Sequence, residues 1–155
     1  MQLVSSFTQA QLNTIPFEGS WTAGQVADHM VMSNEGFSKI LTGPAKETNR
    51  PPDERVATIQ RDFLDLTLKV TAAQIVWPKH TRYNKEELLQ SLTEIEVPIK
   101  AVIQNLDLTE TCLAFEIPVY GYLTRIEALH FNIYHSKRHI VQLKILHERL
   151  HNPTK

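Results

Sequence analysis

Residues 124–150 read TRIEALHFNIYHSKRHIVQLKILHERL, and this stretch decides the fold. Thr124 is followed three residues later by Glu127. In such a pair the hydroxyl can take the Glu127 amide while the carboxylate reaches back to the Thr124 amide, which marks a helix start. Neither Gly nor Pro follows until Pro153, so the spacing predicts the longest helix of the chain, running to about residue 150. On it His135 and His139 stand four apart, hence about 40° from one another and one turn apart on a single face. Within about 60° of His135 lie Ala128, Phe131, His139, Gln142, Leu146 and Leu150. The pair therefore sits in the stripe that must face a core. His147 and His151 repeat the spacing, but His147 is at the edge of that stripe and His151 leads into the polar residues Asn152, Pro153, Thr154 and Lys155. That second pair reads as a solvated helix end.

Working outward, two more starts use the same chemistry. Thr22 with Gln25 opens a helix over 23–41, with Val26, Met30, Ser33, Phe37, Ile40 and Leu41 at helical spacing and Gly43-Pro44 as its stop. Asn84 with Glu87 opens another over 85–106, striped by Leu88, Leu89, Leu92, Ile95, Ile99, Val102, Ile103 and Leu106, with a bend expected at Pro98. Leu3, Phe7, Ala10 and Thr14 predict a shorter amphipathic helix over about 2–14. Pro44, Pro51 and Pro52 mark a linker, after which Asp53 is expected to cap a satellite helix to about residue 69. Residues 75–78, and the alternation of Leu113, Phe115, Ile117 and Val119, have extended character without making a sheet. The outcome is an all-α four-helix bundle with long crossover connections, a single domain over 1–155.

Composition agrees with one self-sufficient domain. Of 155 residues, 42% are hydrophobic and 21% charged, enough to bury a core without disulfide staples. A formal charge of −1 removes the electrostatic basis for binding nucleic acid or an anionic membrane. No apolar run approaches the ~18 residues of a membrane span. The single cysteine, Cys112, has no internal partner, so a reducing compartment, the cytoplasm, is the expected setting.

Seven histidines need an explanation. His130 falls on roughly the opposite face from His139, and His80 lies in the polar run Lys79-His80-Thr81-Arg82, so both read as surface residues. His29 shares a face with Thr22, Ser33 and Ile40 beside the Val26, Met30 and Phe37 stripe, and points inward like His135 and His139. Three inward imidazoles require either separate hydrogen-bond partners or one shared cation. Neutral imidazoles suit Zn²⁺, or another late first-row ion such as Ni²⁺, rather than Mg²⁺ or Ca²⁺. Three protein ligands also leave a position open for water or substrate, the pattern of a catalytic site. Gln142, seven residues after His135, and Gln25, four before His29, are candidates to orient the rings from behind, although Gln25 also has the capping role, as Glu127 does.

At these residues the chain resembles the DinB-like (DinB/YfiT) superfamily of bacterial metalloenzymes. The matching features are Ser20-Trp21-Thr22-Ala23-Gly24-Gln25 leading to His29, and Leu123-Thr124-Arg125 followed by His135-Ser136-Lys137-Arg138-His139-Ile140-Val141-Gln142. Trp77-Pro78 leading to Tyr83-Asn84-Lys85-Glu86-Glu87-Leu88-Leu89 is similar to one branch of that superfamily. The resemblance implies a four-helix bundle, a divalent metal on His29, His135 and His139, a homodimer, and in some members transfer or isomerisation chemistry with a low-molecular-weight thiol. One departure is Val141, where many relatives carry Gly.

Three functions compete. A thiol S-transferase would use the ion to stabilise a thiolate for attack on a small-molecule electrophile. A metal-dependent hydrolase would use bound water, but the sequence supplies no inward carboxylate beside the triad as general base, unlike H-E-x-x-H proteases. A non-catalytic bundle, binding small ligands or partners, would use the ion for folding energy. DNA repair has no support in charge or motif.

Overall fold

The protein is described by a computed structural model over residues 2–68 and 72–151. Among the described residues seven α-helices follow in order: α1 Gln2–Ser6, α2 Gln9–Leu12, α3 Ala23–Thr42, α4 Val56–Leu64, α5 Lys85–Glu94, α6 Glu96–Asn105 and α7 Arg125–His151. The two long helices begin as their capping pairs dictate. The Thr22 hydroxyl accepts the Gln25 amide at 3.1 Å while Gln25 Oε1 accepts the Thr22 amide at 2.9 Å. Thr124 and Glu127 make the same exchange at 3.2 and 3.0 Å. Each satisfies two of the amide donors that a helix start leaves without partners.

The structure departs from the sequence reading at three helices. The N-terminal segment is two short helices rather than one, because Thr8 adopts an extended backbone and forms its own capping box with Gln11. Asp53 does not cap α4 with its side chain. The preceding residues form a turn in which the Val56 amide donates to the Asp53 carbonyl, and the helix runs only to Leu64. Residue 69, its expected end, lies outside the described residues. Nor is α4 a satellite: it packs along α7 and buries Ile59 and Phe63. The run 85–106 breaks at Ile95, three residues before Pro98. A proline has no amide to give and its ring crowds the carbonyl four residues back, so the disruption falls on the turn before it. Beyond the break Val102 stays buried, as Leu88 and Leu92 do before it, while Ile103 and Leu106 are exposed.

The bundle comprises α3, α4, the bent α5–α6 pair and α7. The last helix packs against α3 and α4, and α3 against α5 and α6. Residues 74–76 form a 3₁₀ turn rather than an extended segment. Alternation over 113–119 does not become a strand. Instead β1 (Ala45–Lys46) pairs antiparallel with β2 (Thr111–Cys112), a two-residue ladder tying the two crossovers together. Two apolar clusters result. One contains Phe7, Leu12, Val26, Met30, Leu88, Leu92, Leu143 and Leu146. The other contains Phe37, Leu41, Ile59, Phe63, Val102, Leu123 and Leu129. Among the described residues no helix is long and apolar enough to cross a membrane.

The crossovers are held by ionic contacts at the start of α7. Glu127, fully buried, accepts both arms of the Arg50 guanidinium at 2.6 Å and the Arg55 amide at 2.9 Å. Arg125 donates to the Leu41 carbonyl at the end of α3, to the Asp107 carbonyl and to the Glu110 carboxylate. A carboxylate that caps its own helix while gripping the linker explains why this helix start is so well determined.

Candidate metal centre

His29 is two turns into α3, and His135 and His139 are near the middle of α7, so the packing of α3 on α7 brings them together. The site lies where the two apolar clusters meet: His29 precedes Met30 of the first, and His135 follows Tyr134 of the second. His29 is 2% exposed. Its Nε2 lies 3.1 Å from His135 Nε2, which lies 3.1 Å from His139 Nε2. No other His, Cys, Asp or Glu joins the three as a ligand group among the described residues.

The far nitrogens decide what the near ones present. His29 Nδ1–H donates to the Val76 carbonyl at 2.8 Å, and His139 Nδ1–H donates to Gln142 Oε1 at 2.9 Å. A neutral imidazole carries one proton, so both rings must show a lone pair at Nε2. Between them stands His135 Nε2, whose own Nδ1 is buried with no partner among the described residues. A proton on His135 Nε2 can be shared along only one of the two 3.1 Å contacts, and a proton on Nδ1 leaves three lone pairs facing one another. Neither placement satisfies the three Nε2 atoms, whereas one cation bound by all three lone pairs does, with the His135 proton on Nδ1. The donor set fits a divalent metal ion, and an all-imidazole set suits late first-row metals rather than Mg²⁺ or Ca²⁺.

The electrostatics keep the rings in the form a metal needs. Burial holds His135 down to about 3, helped by the neighbouring His139 and His29 rings and by Arg138. Burial likewise holds His139 down to about 4, against the opposing pull of Gln142. For His29 burial outweighs the Val76 carbonyl and Asp28. All three are neutral at pH 7.

Of the two glutamines proposed to orient the rings, the structure brings Gln142 to the site and leaves Gln25 away from it, because Gln25 Oε1 is committed to the Thr22 amide. His130 is not a surface residue: it is half-buried, stacked on Tyr134 at 5.8 Å. His80 is exposed. His147 is half-buried against Phe7 and stacked on His151 at 3.9 Å. Cys112 is buried in β2 and takes no part.

Sequence reasoning missed the rest of the surroundings. Trp21 packs 5.4 Å from His29 and 6.1 Å from Trp77, while Phe63 stands edge-on to His135 at 5.8 Å. Val76 contributes through its backbone, which no side-chain pattern can signal. Arg138, between His135 and His139 on α7, donates to the carbonyls of Phe63, Asp65 and Leu68, and so caps the C-terminal end of α4 against the site. Its place in the His-Ser-Lys-Arg-His run was the available signal, since a cation beside a helix end has a defined electrostatic use.

The sequence pattern of the DinB superfamily matches residues 1–143. No curated protein matches the chain. Among solved structures it is similar to TT2238, described as a four-helix bundle protein, with a TM-score of 0.54 and 17% identity. That match covers 91% of this chain and 84% of the other, and at such low identity it shows the fold alone.

Proposed function

The chain belongs to the DinB superfamily, and on that premise we propose that it is a metal-dependent enzyme activating a small nucleophile, with S-transfer from a low-molecular-weight thiol as its reaction. The observation that carries this reading is the convergence of three Nε2 lone pairs, two of them fixed by Val76 and Gln142, with no fourth ligand group among the described residues. His29, His135 and His139 would hold the ion, Zn²⁺ foremost and Ni²⁺ next. When bound, such an ion lowers the pKa of a coordinated thiol or water and holds the resulting anion for attack. The Val76 carbonyl and Gln142 fix the tautomer and angle of their rings. Trp21 and Phe63 give the rings an apolar border that limits hydration.

Thiol is favoured over water by what the nearby side chains are committed to. Asp28, the carboxylate bearing on His29, accepts the Tyr83 hydroxyl at 2.9 Å, and no carboxylate joins the imidazole group among the described residues. Attack by water on a carbonyl is commonly assisted by such a base. A thiol, already far more acidic than water, needs less help.

Metal analysis of protein purified without added metal is expected to find one late first-row ion per chain. His29→Ala, His135→Ala and His139→Ala should each lose it, while His147→Ala keeps it. Cobalt-substituted protein titrated with cysteine or glutathione should then develop a thiolate-to-cobalt charge-transfer band. Retained metal in any of the three alanine variants removes that residue from the site. If no band forms but model esters are cleaved, hydrolysis replaces S-transfer. If chelation unfolds the helices, the ion is structural.

A further inference from the structure

The end of α7 repeats the spacing of its middle, and the fold makes of the second pair something other than a solvated helix end. His147 and His151 stand four residues apart, so they share a face as His135 and His139 do. Their rings stack with centroids 3.9 Å apart and 27° between the planes, whereas the His135 and His139 centroids are 4.5 Å apart. Phe7, fully buried, stands edge-on to His147 at 5.0 Å and backs the pair from the N-terminal segment.

Hydrogen bonds again decide which lone pairs are on offer. His151 Nδ1–H donates to the His147 carbonyl at 2.8 Å, which leaves a lone pair at His151 Nε2. The Gln11 amide nitrogen faces that lone pair at 3.4 Å. Gln11 cannot turn its oxygen there, because Oε1 is committed to the Thr8 amide at 2.8 Å. A donor at 3.4 Å makes a weak contact that a stronger acid displaces. Neither ring nitrogen of His147 has a hydrogen-bond partner among the described residues, and neither is sealed from solvent as His130 Nδ1 and His135 Nδ1 are. Two imidazoles thus lie together with their acceptor nitrogens uncommitted. The field at this end favours a cation, since the last carbonyls of α7 carry the negative end of the helix dipole. Glu148, next to His147, has no ion-pair partner among the described residues, and Arg149 is drawn over the Phe17 ring at 5.3 Å. Lys144 opposes from one turn earlier, but it is exposed and screened by solvent.

We propose that His147 and His151 form a second metal site, a two-imidazole chelate for a late first-row divalent cation, distinct from the three-histidine centre. Imidazole nitrogen selects Cu²⁺, Ni²⁺ and Zn²⁺ over Mg²⁺ and Ca²⁺. Turning the His147 ring on its Cβ–Cγ bond aims one of its open nitrogens beside His151 Nε2, and water completes the coordination sphere. With two protein ligands in place of three, this site binds more weakly and fills after the first. Filling it displaces the Gln11 contact, so the ion is felt at α2 as well as at the end of α7.

The test titrates Zn²⁺ past the first equivalent into the full chain carrying ¹³C-labelled histidine rings, followed by NMR. The His147 and His151 signals are expected to shift together, saturably and with one midpoint, while His80, a single exposed histidine, does not follow them. His147→Ala and His151→Ala should each weaken this second binding by about 100-fold, the gain that tethering one ligand to another supplies. The proposal is overturned if only one of the two rings shifts, if His80 shifts with the same midpoint, or if either variant keeps the affinity of the unaltered chain. His147→Ala also removes the packing on Phe7. Should it fail to fold, His151→Ala, at the last residue of α7, and the paired shifts still decide. Each ring reports on itself, so a failure of this site and a failure of His29, His135 and His139 to hold an ion are read separately.

Discussion

At the scale of single residues, the two glutamines make the cleanest contrast. Gln142 accepts from His139, and if His139 holds the proposed ion, removing the support behind it costs about 10–100-fold in metal affinity. Gln142→Leu is therefore expected to weaken metal binding by that factor, measured by competition with a chromophoric chelator. Gln25→Ala should leave metal affinity intact and lower unfolding free energy by about 1 kcal/mol, the worth of one capping hydrogen bond, read from urea melts. Equal effects of the two on metal affinity would refute the assignment. A second single-residue feature is Val119, 97% exposed with a φ of 74° at the tip of the turn between Ile117 and Gly121. A β-branched residue pays heavily for that backbone and gains nothing from burial. Val119→Gly is expected to raise unfolding free energy by about 1 kcal/mol, seen as a higher Tm; a lower Tm would show that the turn is not strained.

At the scale of elements, legibility follows the physics of each helix. The starts of α3 and α7 are read correctly from Thr22/Gln25 and Thr124/Glu127 because capping is local chemistry, complete within four residues. The bend at Pro98 is legible only approximately. The missing amide marks a disruption, but which carbonyl upstream is released depends on packing, and it is the turn at Ile95 that gives way. The importance of α4 is not legible at all. Nothing in residues 56–64 says that Arg138 caps its end or that Glu127 holds the linker before it, since both contacts span more than 70 residues. Glu127→Gln tests the second of these. It removes the charge facing Arg50 and one acceptor for its second arm, and breaking such a buried pair costs about 3 kcal/mol or more. A change under about 1 kcal/mol in denaturant unfolding would place Glu127 among ordinary surface ion pairs.

At the scale of the whole molecule, stability and the metal site are linked through protons. In the metal-free fold His135 is held near 3 and His139 near 4, with His29 lowered too, whereas in the unfolded chain each titrates near 6.5. The unfolded state therefore gains protons first as pH falls, and the native state is penalised from about pH 6.5 downward toward 4. Metal-free protein is expected to keep a constant Tm above pH 7 and to lose stability steadily below 6.5, measured by thermal melts in chelator. Replacing His135 with Leu should flatten that decline. A profile that starts to fall only below pH 4.5 would mean that carboxylates, not these imidazoles, dominate it.

The amino-acid sequence by itself determined the helical class, the two capped starts that carry the histidines, and the inward direction of His29, His135 and His139. All of these follow from a 3.6-residue period and from hydrogen bonds closed within one turn. Tertiary structure alone decided that the three rings meet at one point, that Val76 rather than Gln25 stands behind His29, that α4 belongs to the bundle, and that Asn34 and Asn132 share a hydrogen bond. The reason is the same in each case. These contacts join residues 47 to 106 positions apart in the chain, and only the packing of one helix on another fixes which face meets which.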